Sequence, residues 1–157
     1  PYIVAQMLGG FFGAVLVYAF YKDHYDATDD PSTKLATFCT IPAIRNYGRN
    51  LFCEILGTVV LVFVILVLAT ESNTPEVGMG SLGAFPVAML IVALGMSLGG
   101  TTGYAINPAR DLAPRLAHAI LPIRGKGSND WAYSWVPVVG PIIGGFLAAG
   151  LYCLICC

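Results

Sequence analysis

The side chains best suited to chemistry lie together in Asn107-Pro108-Ala109-Arg110-Asp111. Asn is a favoured helix N-cap and Pro is favoured at the first helical position, so this stretch predicts a helix that begins at Pro108. Arg110 lies three residues beyond Asn107, so the two side chains can face the same space. An amide and a fixed guanidinium charge there would bind neutral hydroxyl oxygens and repel cations.

The location of this stretch is as informative as its residues. The sequence contains no Lys, Arg, Asp or Glu from Val77 through Ala109. That run is longer than the about 20 residues of one membrane-spanning helix, so it must break. We expect the break at 99–103, Gly-Gly-Thr-Thr-Gly, because irregular backbone at membrane depth must line a cavity or be buried in protein. The half-helix that restarts at Pro108 would place its positive N-terminus near the membrane centre.

The composition agrees with a membrane protein. The chain has 157 residues, of which 57% are hydrophobic and 11% are charged, against about 25% charged residues in soluble domains. There is no basic tract for nucleic acid, and no cysteine has metal-ligand spacing with a histidine. No Ser-His pair or carboxylate pair lies within one span. We therefore expect no enzyme activity, no metal and no cofactor.

The hydrophobic pattern predicts an all-α protein of about four transmembrane helices and one re-entrant half-helix. Transmembrane helices are predicted at 1–21, 51–70, 82–101 and 131–157, a polar loop at 22–50, and the re-entrant loop and half-helix at 102–119. Glycines and Ala148 recur at four-residue spacing within these spans, which suggests close helix packing. Because the sequence starts and stops inside apolar runs, we expect it to be part of a longer protein.

The stretch 103–111, Gly-Tyr-Ala-Ile-Asn-Pro-Ala-Arg-Asp, resembles the second Asn-Pro-Ala loop of the major intrinsic proteins, the family of aquaporins and glycerol facilitators. The resemblance covers nearly the whole chain. It implies an aquaporin-like bundle in which this chain supplies the second inverted repeat and the last helix of the first. It also implies a homotetramer in the cell membrane, for a bacterium the inner membrane. The family topology places 22–50 outside, although the basic residues of that loop, counted alone, favour the cytoplasm.

Four positions favour the glycerol-conducting branch of that family. Asp111 follows the arginine where water-selective members usually have a small residue, and Arg115 supplies the basic residue four positions later. Pro137 begins a Pro-aliphatic pair typical of glycerol facilitators, and Gly95 replaces a histidine of water-selective pores. The chain is therefore expected to belong to a passive channel for glycerol and similar small neutral polyols, which also passes water. The alternatives are a water-selective aquaporin and a secondary transporter with a broken-helix site.

The resemblance also assigns the residues of the pore. Tyr104 would form an apolar wall, the backbone carbonyls near it would accept hydrogen bonds, and Glu54 would support the re-entrant loop by binding its N–H groups. The expected pore and selectivity residues are Asn107, Arg110, Tyr104, Gly95, Thr102, Gly103 and Ala105; the supporting residues are Glu54, Asp111, Arg115 and Pro137. Gln6 and His118 are expected to be hydrogen-bonded internally. The expected partners are glycerol, water and the lipid bilayer, and the isolated chain is not expected to conduct.

Overall fold

The computed structural model describes residues 1–70 and 73–156, and the regular structure of this part is helical throughout. The elements are α1 (Tyr2–Phe20), α2 (Lys22–Ala27), α3 (Pro31–Ala36), α4 (Tyr47–Leu68), a 3-10 helix (Gly78–Leu82), α5 (Phe85–Thr102), α6 (Pro108–Ile120) and α7 (Val136–Cys156). In the described ranges, α1, α4, α5 and α7 are long and apolar enough to cross a membrane. The predicted fold class is confirmed.

Helix α6 is the half-helix. It has 13 residues, which at 1.5 Å per residue is about 20 Å, shorter than the about 30 Å hydrocarbon core of a bilayer. The loop 103–107 joins it to α5, so the half-helix lies between the two full spans α5 and α7 in the chain. Helix α1 packs against α6, and α4 packs against both α5 and α7.

Small residues allow α7 to lie directly on α4. A Cβ atom added to Gly140 would lie 2.6 Å from Glu54 Cβ, and one added to Gly144 would lie 2.6 Å from the Ile55 carbonyl oxygen and 2.7 Å from Thr58 Cβ. Any side chain at either glycine would push the helices apart, which explains their four-residue spacing.

The polar loop 22–50 is folded rather than extended. It contains α2, α3 and the first turn of α4. The aromatic residues Tyr25 and Phe38 pack with Tyr18 of α1 and Ala117 of α6. The ammonium of the buried Lys34 donates a hydrogen bond to the Arg124 carbonyl oxygen in the segment after α6. This loop is therefore joined to α1, to the C-terminal part of α6 and to the segment that follows it.

Several element boundaries differ from those predicted. Helix α4 starts at Tyr47 rather than at residue 51, because the Asn46 side chain caps it by accepting from Arg49 N at 3.1 Å. Helix α5 starts at Phe85 rather than at residue 82, because Gly83 has a φ of +57° that no α-helix accommodates. Segment 131–135 forms a turn, so α7 starts five residues later than predicted, at Val136.

The other ends differ less. Helix α1 ends at Phe20, α4 at Leu68 and α5 at Thr102, and the half-helix runs from Pro108 to Ile120. The last predicted helical residue, at position 157, lies outside the described residues.

Candidate functional site at the re-entrant loop

Asn107 organises the start of the half-helix. Its side-chain oxygen accepts hydrogen bonds from Ala109 N at 2.9 Å and from Arg110 N at 3.4 Å. Two of the N–H groups that a helix start leaves unpaired are thus satisfied by one amide. The same bonds fix the Asn107 amide nitrogen, which donates to the Gln6 side-chain oxygen of α1 at 3.3 Å. The site therefore joins α6 to α1 through two amides.

The loop before Asn107 adopts an uncommon backbone conformation. Gly103, Tyr104 and Ile106 have φ angles of +78°, +41° and +42°. The left-handed region is costly for a tyrosine and more so for a β-branched isoleucine, so such residues persist only where their surroundings hold them.

Glu54 of α4 supplies the hydrogen bonds that hold the loop. Its carboxylate is 1% exposed and accepts from Ala105 N at 3.0 Å, Ile106 N at 2.8 Å and the Thr102 hydroxyl at 2.6 Å. A buried carboxylate with three donors is well satisfied. Because Glu54 accepts from the N–H groups of Ala105 and Ile106, the loop's carbonyl oxygens are left to accept from other donors.

Two of the predicted pore residues contact each other. A Cβ atom added to Gly95 would lie 3.0 Å from Tyr104 Cζ and 3.1 Å from its hydroxyl oxygen. The structure therefore places the aromatic ring over the position that Gly95 leaves empty. Gly57 of α4 makes the equivalent room for Ile106, whose Cγ2 atom would lie 3.1 Å from an added Cβ.

Arg110 and its neighbour Asp111 have contrasting surroundings. Arg110 is exposed on the first turn of α6, and its guanidinium makes no hydrogen bond or ion pair within 1–70 and 73–156. Its donors are therefore unused by the described part of the protein. Asp111 is 0% exposed and turns to the other side of the helix.

Asp111 and Arg115 form a buried ion pair one helical turn apart, and both are 0% exposed. Arg115 Nε and Nη2 donate to the Asp111 carboxylate at 2.9 and 3.1 Å, Nη2 also donates to Thr40 O at 2.9 Å, and Nη1 donates to Asn129 O and Asp130 O at 2.9 and 3.0 Å. Asp111 also accepts from the Thr40 backbone N–H and hydroxyl, each at 2.7 Å. All five guanidinium donors are thus used, and the pair joins α6 to two loops.

The C-terminal end of α6 is capped by a lysine. Lys126 donates to the carbonyl oxygens of His118, Ala119 and Leu121 at 2.8, 2.7 and 2.8 Å. A cation there satisfies unpaired carbonyls and interacts favourably with the helix dipole. His118 is bonded through Nδ1 to Asn129 at 2.7 Å, but within the described ranges its Nε2 has no partner, so its predicted internal bonding is only half realised.

Cys39 and Asp30, both outside the membrane-spanning helices, have shifted pKa values. Burial raises the pKa of the Cys39 thiol to about 12, so this thiol stays neutral at physiological pH and is a poor nucleophile. Hydrogen bonds from Thr33 and Ser32 hold the pKa of the Asp30 carboxyl well below its usual range. That carboxylate caps α3. In the ranges 1–70 and 73–156, no cluster of three His, Cys, Asp or Glu side chains could hold a metal.

Sequence reasoning missed several residues of this region. Thr40 binds the half-helix from a loop that is distant in the sequence, and Asn129 and Lys126 bind it from the loop that follows it; nothing in their local pattern signals these contacts. Gly99 belongs to the four-residue glycine row, which indicated helix packing rather than contact with Tyr104. Pro137, predicted as a supporting residue, is fully buried in the first turn of α7.

Known proteins resemble this chain along most of its length. A probable glycerol uptake facilitator protein of Thermotoga maritima is 57% identical over 96% of this chain and 62% of its own length. The glycerol uptake facilitator protein of Bacillus subtilis is 53% identical over 96% of this chain and 53% of its own length. A D/L-lactic acid transporter of Lactiplantibacillus plantarum is 46% identical over 95% of this chain. The chain thus spans between half and two thirds of the length of these relatives.

The structural comparison agrees with the sequence comparison. An X-ray structure of the aquaglyceroporin from Plasmodium falciparum superposes with a TM-score of 0.83 at 30% sequence identity, covering 99% of this chain and 63% of that one. The family model for the major intrinsic proteins matches residues 1–152. With its four apolar helices and its Asn-Pro-Ala half-helix, the chain is part of a multi-pass membrane protein and belongs to the major intrinsic protein family.

Proposed function

We propose that the full-length protein containing this chain is a passive channel for glycerol and similar small neutral polyols, and that it also passes water. The observation that carries the proposal is the pairing of a capped half-helix start with an arginine whose donors are unused. Asn107 fixes the helix start, and Arg110 is exposed beside it. The names of the glycerol uptake facilitators that resemble this chain support the choice of solute.

The proposed mechanism matches an amphipathic solute. The carbon chain of a polyol slides along the ring of Tyr104, while its hydroxyl groups exchange hydrogen bonds among Arg110, Asn107 and the loop carbonyls. Each bond that the solute loses to water is replaced, so the barrier stays low. The positive end of the half-helix and the arginine charge repel cations and hydronium. No ion gradient is needed.

The remaining parts of the channel are also proposals. The other inverted repeat supplies the second half of the lumen wall, with its own Asn-Pro-Ala half-helix. Arg110 would face that half across the pore. The channel would lie in the plasma membrane of a bacterium as a homotetramer, its apolar helices in contact with lipid.

A shrink–swell experiment tests the function. The full-length protein is reconstituted in liposomes and mixed with hyperosmotic glycerol, with protein-free liposomes as the control. We expect rapid shrinkage, as water leaves, followed by rapid re-swelling as glycerol enters. Rapid shrinkage without re-swelling would establish a water-selective channel instead. Glycerol entry that requires a sodium or proton gradient would establish a secondary transporter.

A further inference from the structure

The ring of Tyr104 lies in a notch on α5 formed by Gly95 and Gly99, called here the glycine notch. A Cβ atom added to Gly99 would lie 2.7 Å from Tyr104 Cδ1 and 3.2 Å from Cε1, while one added to Gly95 would meet Cζ and the hydroxyl oxygen at 3.0 and 3.1 Å. The two glycines are one helical turn apart. The ring therefore lies along the helix. Its inner end, the end attached to Cβ, lies on Gly99, and its outer end, which carries the hydroxyl, lies on Gly95.

These glycines do not serve helix packing in the described structure. For each of them, the three atoms nearest to an added Cβ all belong to Tyr104. Gly140 and Gly144, in contrast, meet atoms of another transmembrane helix. Gly100, the neighbour of Gly99 in sequence, has open space within 4 Å of an added Cβ. The notch is thus specific to the aromatic ring.

The backbone of Tyr104 has little freedom to move aside. Its φ of +41° follows the +78° of Gly103, and the next two N–H groups are held by Glu54 on α4. A Cβ at Gly99 would overlap the ring's inner end, which is close to this fixed backbone. The ring would have to move away from α5, and the proposed channel has its lumen on that side.

We propose that Gly99 is a specificity-determining positioning residue, which sets how far the Tyr104 ring projects into the pore. The inference rests on the proposed glycerol channel and extends it to a residue that touches no solute. A deep notch holds the ring back and leaves a lumen wide enough for a carbon chain. A methyl group at Gly99 fills the notch and narrows the lumen, which obstructs glycerol more than water because water is smaller.

The test compares variants of the full-length protein in liposomes, with both permeabilities expressed per amount of folded protein. In Gly99→Ala we expect the glycerol-to-water permeability ratio to fall by about tenfold, since pore diameter decides which solutes pass. Gly95→Ala should lower the ratio less, because its Cβ meets the ring's outer end, which can swing away. Gly100→Ala is the matched control and should leave the ratio unchanged.

A second background separates ring positioning from a general packing defect. Tyr104→Ala removes the ring, so adding Gly99→Ala to it should no longer change the ratio. The inference is overturned if Gly99→Ala leaves the ratio unaltered, lowers both permeabilities equally, or acts as strongly without the ring. If Gly99→Ala does not fold, the glycerol-to-water permeability ratio of Gly95→Ala is compared with and without Tyr104→Ala. A fall in the ratio only when the ring is present supports the inference, and any other result overturns it. Absence of glycerol entry through the unmodified protein would reject the channel proposal itself, independently of these variants.

Discussion

Two arginines of the half-helix, Arg110 and Arg115, are used in opposite ways. Arg115 is 0% exposed, and its guanidinium donates to Asp111 and to backbone carbonyls of two loops. Arg110, one and a half turns earlier, is exposed and binds nothing within the described ranges. The same type of side chain thus holds two loops against one face of α6, at Arg115, and has unused hydrogen-bond donors on another face, at Arg110.

This difference predicts that the two faces tolerate substitution differently. A buried charge is stable only when its partners are complete, and removing one partner leaves the other uncompensated. An exposed guanidinium keeps its hydration and is structurally dispensable. Asp111 and Arg115 face the same side because they are one turn apart, whereas Arg110 and Asp111 are adjacent and point in different directions. Helical spacing thus separates the buried face of α6 from the exposed face that we propose binds the solute.

The largest effect is expected from Arg115→Met. The substitution leaves Asp111 buried without its charge partner and frees three loop carbonyls, so we expect a loss of about 3–5 kcal/mol of stability. Thermal unfolding of the purified full-length protein in detergent measures it. Arg124→Met, at an exposed arginine outside the helix, is the matched control and should have little effect. Adding Asp111→Asn to Arg115→Met should recover part of the lost stability. Equal stability of Arg115→Met and Arg124→Met would contradict the structural role of the buried pair.

A second, functional effect is expected from Arg110→Ala. The fold should be retained, because exposed substitutions change stability by only about 0.5 kcal/mol. The pore should lose part of its exclusion of cations, since the fixed charge is gone. A pH-sensitive dye inside liposomes measures the proton leak, and the melting temperature is recorded in parallel.

Arg110→Lys sharpens the same comparison. It keeps the charge but not the planar fork of donors, so proton exclusion should persist while glycerol permeability falls. A melting temperature lowered as far as in Arg115→Met would show that Arg110 also has a structural role.

The sequence predicted the elements that depend on length and charge. The uncharged run ending at Ala109 is too long for one span, and Asn107-Pro108 marks where the helix restarts, so the half-helix followed from arithmetic and capping chemistry. The ends of helices were less predictable, since they depend on one side-chain cap at Asn46 and one left-handed glycine, Gly83.

The site was predictable only where a residue's own neighbourhood signals its role. Asn107 and Arg110 carry that signal. Glu54 carries it too, because a lone carboxylate within a membrane span needs hydrogen-bond partners. The loop partners of Arg115 did not follow from the sequence; Thr40, for example, lies 75 residues away along the chain. The contact of Gly99 with the Tyr104 ring depends on the left-handed backbone after α5, which no periodicity encodes.

The smallest effect is expected at a third arginine, Arg45, which tests whether burial rather than pairing distinguishes Arg115. Arg45 Nη1 donates to Asp130 Oδ1 at 3.0 Å, but 42% of its side chain is exposed. Solvent screens such a pair, so Arg45→Gln and Asp130→Asn should be coupled by less than about 1 kcal/mol. Asparagine retains the tolerance for the φ of +49° at position 130.

A double-mutant cycle by thermal unfolding, at low and high salt, measures the coupling. Because salt weakens only exposed pairs appreciably, the coupling should fall at high salt, whereas that between Asp111 and Arg115 should persist. Equal coupling energies for Arg45–Asp130 and Asp111–Arg115 would show that burial does not decide how strongly an ion pair stabilises the fold. The larger number of hydrogen bonds made by Arg115 would then distinguish it from the other arginines.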